Sequence, residues 1–308
     1  MRNARWHFQT RSSGIKAGQS PLDDATRGTT THIARVTSRP VPNLIIENET
    51  FKAERLIEEL SRAGVGCSVD GVTMNNFSYA DDMVLLSPSV SGLRGLLKIC
   101  EDYAKVNGLS YNSKKSEVIV FRGNNKPINF KPCIQLGGTP LKQVAEFKYL
   151  GHIVTKRLGD DSDMERERRA LSVRGNMLAR RFARCMTQVK ITLFRAYCQS
   201  FYTCSLWTNY TQRAYSALRI QYNNVLRAVL RKPRHCSASA MFADVRVDDF
   251  FAIMRRRAAS MLCRLVSSTN TLLNTWANKL DSPLWRCWNG AHTGYRRATP
   301  RAWFVGPV

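Results

Sequence analysis

The tetrapeptide Tyr79-Ala80-Asp81-Asp82 places two adjacent carboxylates between Asn75-Asn76-Phe77-Ser78 and the apolar run Met83-Val84-Leu85-Leu86. That pattern predicts two strands joined by a tight turn that presents both acids. Adjacent carboxylates repel each other, and a divalent cation or a basic partner relieves the repulsion. Magnesium suits such a pair, being a hard ion that takes one or two carboxylates together with phosphate oxygens. A plain acidic surface turn uses the same residue types, so the surrounding elements must carry the argument.

Those elements read as follows. Residues from Lys52 have helical spacing, with Leu56, Ile57, Leu60 and Ala63 on one side and Gly64 as the stop. After the acidic turn, Ser89 or Ser91 is suited to cap a helix through Val90, Leu93, Leu97, Cys100 and Tyr103, which Asn107-Gly108 ends. Val118-Ile119-Val120-Phe121 is a buried-strand pattern, and Gly137-Gly138-Thr139-Pro140 is a turn. The segment from Phe147 to Val154 reads as a strand with Phe147, Tyr149 and Ile153 on one face. Beyond Gly159, four apolar stripes predict helices: Leu171 to Val189, Ile191 to Phe201, Tyr215 to Val229, and Phe250 to Leu265. Residues 1 to about 55 are rich in Arg, Thr, Ser and Pro. They read as an unstructured leader in which only Leu44-Ile45-Ile46 looks strand-like.

The chain has 308 residues, 44% of them hydrophobic, enough for packed domains and too many for wholesale disorder. Its formal charge is +24, and the partner best suited to neutralise that excess is a phosphate backbone. From Met164 onward there are 25 basic and 6 acidic residues, so the excess is concentrated in the C-terminal half. No acid occurs between Arg168 and Ala243, where 14 Lys and Arg do, and these cations are expected to face solvent or a polyanion. The nine cysteines show neither CxxC pairs nor zinc-ligand spacing and read as reduced core residues. No apolar run approaches a membrane span and no signal-peptide core is present, so an intracellular, membrane-free protein is expected.

Taken in order, these motifs resemble the polymerase domain of reverse transcriptases from LINE-type (non-LTR) retrotransposons. Arg62-Ala63-Gly64-Val65-Gly66-Cys67 with Gly71 resembles the family's approach to its catalytic hairpin, and Tyr79-Ala80-Asp81-Asp82 resembles the hairpin itself. Gly108-Leu109 with Asn112, Lys115 and Ser116 resembles a loop beside the incoming nucleotide. Phe147-Lys148-Tyr149-Leu150-Gly151 resembles the strand that grips the primer end. The resemblance implies an α+β fold, with a partial palm of β-hairpin, helix and strands followed by a mostly α-helical, thumb-like region. The expected boundaries are an unrelated, disordered leader over 1–55, a partial palm over 56–160, thumb-like helices over 161–243, and a helical then irregular basic extension over 244–308.

The implied activity is RNA-directed DNA synthesis by two-metal nucleotidyl transfer, on an RNA template and a DNA primer, with magnesium as cofactor. By resemblance Asp81 is the principal metal ligand and Asp82 the accessory one, while Tyr79 and Ala80 shape the turn near the primer. Lys115 would neutralise or protonate the leaving pyrophosphate, or else is an ordinary exposed lysine. Phe147 and Tyr149 would support the primer backbone or simply pack. Lys148, Leu150, Gly151, Arg180, Arg181 and Arg184 complete the expected nucleic-acid contacts. A nuclear location is implied by resemblance alone.

The family uses a further aspartate, on a strand beside the hairpin, and nothing upstream supplies one: Asp23-Asp24 lacks a preceding apolar strand and Glu47 and Glu49 lack the expected surroundings. The expectation is therefore a fragment without fingers or first catalytic aspartate, inactive alone as a polymerase. The alternative is a noncatalytic basic nucleic-acid-binding protein derived from a retroelement.

Overall fold

The computed structural model describes residues 31–39, 49–80, 82–121, 132–278, 285 and 288. The chain is α+β and divides into two compact units, Met1–Phe147 with Asn270–Thr275, and Lys148–Thr269 with Trp276–Val308.

In the first unit the order is β1 (Thr31–Arg39), α1 (Glu49–Arg62), β2 (Cys67–Val69), β3 (Val72–Met74), β4 (Asn76–Tyr79), β5 (Asp82–Ser87) and α2 (Val90–Asn107). Then come β6 (Ser110–Tyr111), β7 (Glu117–Phe121), β8 (Gln135–Leu136), β9 (Thr139–Pro140) and β10 (Lys142–Gln143). The main sheet runs β10-β7-β1-β5-β4, with β6 also paired to β1. Helix α2 starts where Ser89 Oγ accepts the Gly92 amide and stops at Gly108 in a left-handed cap. Its buried side, Leu93, Leu96, Leu97, Cys100 and Tyr103, shares a core with Leu56 and Leu60 of α1, Leu85 of β5 and Val118 and Val120 of β7.

The central strand β1 corrects the expected leader over 1–55. Its register pairs His32 to Thr37 with Ser87 to Asp82 on one side and Thr31 to Arg35 with Phe121 to Glu117 on the other. Arg35, Arg39 and the flanking prolines mask the strand signal of Thr31, Ile33, Val36 and Thr37. Double pairing favours the extended form in a way no local pattern reveals. Ala34 is fully buried, a small residue where the core closes over the strand. The expected Leu44-Ile45-Ile46 strand lies outside the described residues.

The second unit begins with the end of β11 (Glu146–Tyr149), then β12 (His152–Thr155), α3 (Asp161–Arg181), α4 (Thr187–Cys198) and one 3₁₀ turn (Cys204–Leu206). Helices α5 (Gln212–Leu230), α6 (Ala238–Asp244) and α7 (Phe250–Val266) follow, and α8 is Thr271–Asn278. The single strand expected from Phe147 to Val154 is instead a hairpin, because Leu150 (φ +46°) and Gly151 (φ +85°) are both left-handed and reverse the chain. Helices α6 and α8 were not anticipated, being too short to show a periodic stripe. Val189 leaves its expected stripe and is 39% exposed on α4.

The helical core is aromatic: Phe194, Phe201, Phe242 and Phe250 surround Tyr222, whose hydroxyl donates to Asp248 O at 2.8 Å. All eight described cysteines are free thiols; Cys100, Cys198 and Cys204 are buried, and Cys133 and Cys263 are exposed. No described helix is long and apolar enough to cross a membrane.

Two outcomes follow from this packing. Removing residues 1–40 leaves β5 and β7 with open edges, and the shortened chain is expected to lose cooperative urea unfolding of the first unit and to self-associate. A monomer with unchanged unfolding would contradict the central place of β1. In α3, a methyl on Gly175 would lie 2.5 Å from Val225 Cγ1 of α5. Gly175→Ala is expected to cost about 1–3 kcal/mol in urea denaturation, partly recovered by adding Val225→Ala.

Candidate active-site hairpin and nucleic-acid interface

Tyr79 pairs with Asp82, so only Ala80 and Asp81 lie in the turn, the two-residue loop that best matches strand twist. Such a turn needs positive φ, and Ala80 adopts +52°. Asp81 lies outside the described residues. Asp82 is half-buried at the first position of β5, between Tyr79 of β4 and Thr37 of β1 in the register. The strand beside the hairpin, absent from the sequence expectation, is therefore present. Its sequence, Thr-His-Ile-Ala-Arg-Val-Thr-Ser-Arg, holds no carboxylate.

A buried side chain that the sequence reading passed over anchors this hairpin. Asn75, 5% exposed, donates its amide to Leu60 O at 2.5 Å and Val65 O at 2.9 Å, tying the start of β4 to the end of α1. Its backbone carbonyl accepts the Leu86 amide at 2.7 Å. The only available signal was an amide residue flanking a strand, which also describes an ordinary turn.

Lys115 is exposed in a turn closed by its own amide and that of Ser116, both donating to Asn112 O at 3.0 Å. Because Glu117 pairs with Arg35 and Thr37 with Asp82, Lys115 lies at the same end of the sheet as Asp82, with β1 between them. Tyr79, Ala80, Asp82 and Lys115 thus share one end of the first unit. Among the described residues, no group of three or more His, Cys, Asp or Glu side chains is arranged to hold a metal ion.

Phe147 is buried, which places its ring in the interior. Lys148 is exposed on the β11–β12 hairpin, where Tyr149, Leu150 and Gly151 are half-buried. Tyr202 clamps the turn, donating its hydroxyl to Leu150 O at 2.9 Å and laying its ring where a Cβ on Gly151 would stand 2.7 Å away. Gly151 is thus required by close approach as well as by its φ.

The base of this hairpin rests on an acidic cluster that the sequence reading did not single out. Asp163 is fully buried and accepts from the Ile153 amide at 3.1 Å, Arg166 Nε at 2.7 Å, Thr203 Oγ1 at 2.7 Å and Trp207 Nε1 at 2.8 Å, with His152 Nδ1 at 3.2 Å. Burial alone would raise its pKa. The bonds from His152, Arg166, Thr203 and Trp207 prevail and hold the carboxyl far below the usual range. Asp160 behaves in the opposite way: burial raises it, although the Asn209 and Thr208 amides at 2.8 and 2.7 Å oppose the rise. These acids join β12, α3 and the segment before α5.

The expectation that the cations from Arg168 onward all face solvent or a polyanion needs correction. Arg168 and Arg169 bind Glu165, whose carboxyl falls to about 2, chiefly through the Arg168 bond, and Arg174 binds buried Glu167. Arg195 donates to Arg246 O, Arg227 to Cys236 O, and Arg219 lies over the Phe251 ring. Arg180, Arg181 and Arg184 are exposed where α3 turns toward α4, with no side-chain partner among the described residues.

The Asp163 cluster has a definite pH signature. Its folded pKa lies below its unfolded one, so its stabilisation is complete above about pH 4 and is withdrawn as pH falls toward the folded value. Asp163→Asn is expected to cost about 3 kcal/mol or more at pH 7. The difference from wild type should shrink below about pH 4, read as urea midpoints across pH. A constant difference would remove the carboxylate from this role.

No curated protein shows a significant match to the chain. Residues 53–154, about a third of its length, match the family described as reverse transcriptase (RNA-dependent DNA polymerase), and the span holds the Asp82 hairpin, α2, the Lys115 turn, β11 and all of β12 but its last residue. The chain carries a reverse-transcriptase-like polymerase segment.

Proposed function

We propose that this chain is a retroelement-derived, nucleic-acid-binding relative of non-LTR reverse transcriptases that keeps the metal-binding hairpin without efficient polymerisation. The single observation carrying this reading is the register of β1, which sets Thr37 opposite Asp82 in a strand with no acid. The first unit corresponds to a partial palm and the helices after Asp161 to a thumb-like region.

The hairpin would take a hard divalent ion through the carboxylates of Asp81 and Asp82, with magnesium the expected ion. When bound, that ion would polarise phosphate oxygens and the attacking hydroxyl. Nucleotidyl transfer calls for two ions bridged by carboxylates, and two adjacent acids of one hairpin would supply the ligands of one position. Tyr79, partly exposed beside Asp82, would border the primer end, and Lys115 at the same sheet end would neutralise phosphate charge. Lys148 and the cations Arg180, Arg181 and Arg184 would contact template or primer backbone through charge-assisted bonds.

Two measurements test this reading. With magnesium, an RNA template and a DNA primer, the full chain is expected to give no extension. Extension that vanishes in Asp81→Ala or Asp82→Ala would overturn the proposal. Thr37→Asp adds a carboxylate in register with Asp82 and is expected to tighten manganese binding by about tenfold, measured by calorimetry. An unchanged affinity would show that position 37 does not border the acids. Binding to single-stranded RNA should persist in the double Asp variant and weaken steeply with salt.

A further inference from the structure

Between α5 and α6 the chain runs Arg231-Lys232-Pro233-Arg234-His235, and all five residues are exposed. Arg231 is the C-terminal cap of α5 in the left-handed conformation (φ +56°), with its amide donating to Ala228 O and Arg227 O. Glycine is the residue that this cap position favours, because any Cβ there is strained. Complementing the helix dipole does not require an arginine at this point, since Arg227 already lies in the last turn.

Nor is the loop loose. Arg227 grips it from within, with Nε and Nη2 at 3.1 and 3.0 Å from Cys236 O, while Nη1 is 3.0 Å from Asn224 Oδ1. The Lys232 amide closes on Arg227 O at 2.9 Å, the Cys236 amide closes on Pro233 O at 3.1 Å, and the Ser237 hydroxyl caps α6. The side chains of Arg231, Lys232 and Arg234 have no ion pair or hydrogen bond among the described residues. The nearest acid in sequence on either side is Glu167 or Asp244. A braced backbone thus displays three cations and a histidine, one of them from a strained position.

We propose that residues 231–235 form a phosphate-backbone contact for single-stranded nucleic acid, distinct from the expected contacts at Arg180, Arg181 and Arg184. The strain at Arg231 is retained because its guanidinium, rather than its backbone, is what the site uses. Guanidinium forks and ammonium groups on a fixed loop lose little freedom on meeting phosphate oxygens, and they read neither base nor sugar. This inference rests on the nucleic-acid-binding reading above and adds a particular surface to it.

Arg231→Gly separates the two roles of that residue because its effects have opposite signs. Removing the strain is expected to raise the thermal midpoint by roughly 2–4 °C. Removing the cation is expected to weaken binding of a 20-nucleotide oligouridylate by about fivefold and to lower the slope of log affinity against log salt by about 0.7. The full chain with Arg231→Gly, Lys232→Ser and Arg234→Ser together should lose about 2 from that slope, and equally so on oligothymidylate. If the wild-type chain binds neither oligonucleotide, the broader reading fails. If wild type binds and the triple variant keeps its slope, this inference alone is overturned. The same holds if the triple variant keeps its slope but a fluorescent fusion no longer enters the nucleus, which would assign the loop to an import receptor.

Discussion

A strand inside a sheet must pair its amides and carbonyls on both sides, and in this protein that demand falls on β1. Strands β5 and β7 both face it, and neither is otherwise provided with a neighbour on that side. Burial of Leu85, Val118 and Val120 beneath α2 depends on the sheet being continuous there. The acidic hairpin inherits its position from the same pairing, because Asp82 opens the strand that β1 holds in register. A segment outside the family match at 53–154 therefore completes the sheet that this match shares. A strand can be replaced in its hydrogen-bonding role by almost any extended sequence, whereas a ligand set cannot.

The second unit is organised around two buried carboxylates. Asp163 and Glu167 are buried, their partners Arg166 and Arg174 on α3 are half-buried, and Asp163 alone links a strand, a helix and an indole. A buried carboxylate is costly unless its oxygens are filled, and here several donors converge on one group. The high arginine content of the C-terminal half thus has two components. Some guanidiniums bind carboxylates, carbonyls or a ring, and others, such as those of Arg180, Arg181 and Arg184, are exposed.

Local patterns made much of this legible. The hairpin, the cap and stop of α2, the Val118 strand and the long helices all follow from turn chemistry and apolar spacing that a few residues determine. What was hidden depends on distant partners. Thr31–Arg39 reads as leader because its strand character comes from β5 and β7. Asn75 and Asp163 look like ordinary polar residues until the carbonyls, hydroxyls and indole they bind arrive from 10 to 44 positions away. The Leu150-Gly151 turn reads as continuous strand because apolar residues flank it on both sides, and Tyr202, which fixes it, lies 52 residues on.

The cysteines carry a chemical consequence of the packing. Burial pushes the thiols of Cys100, Cys198 and Cys204 up to about 12. At neutral pH only on the order of one in 10⁵ of each is thiolate, the form that attacks electrophiles and disulfides. These three thiols therefore react poorly with alkylating reagents and disulfides while the protein is folded. Among the described thiols, covalent attack favours the most solvent-facing ones, Cys133 in the first unit and Cys263 in the second.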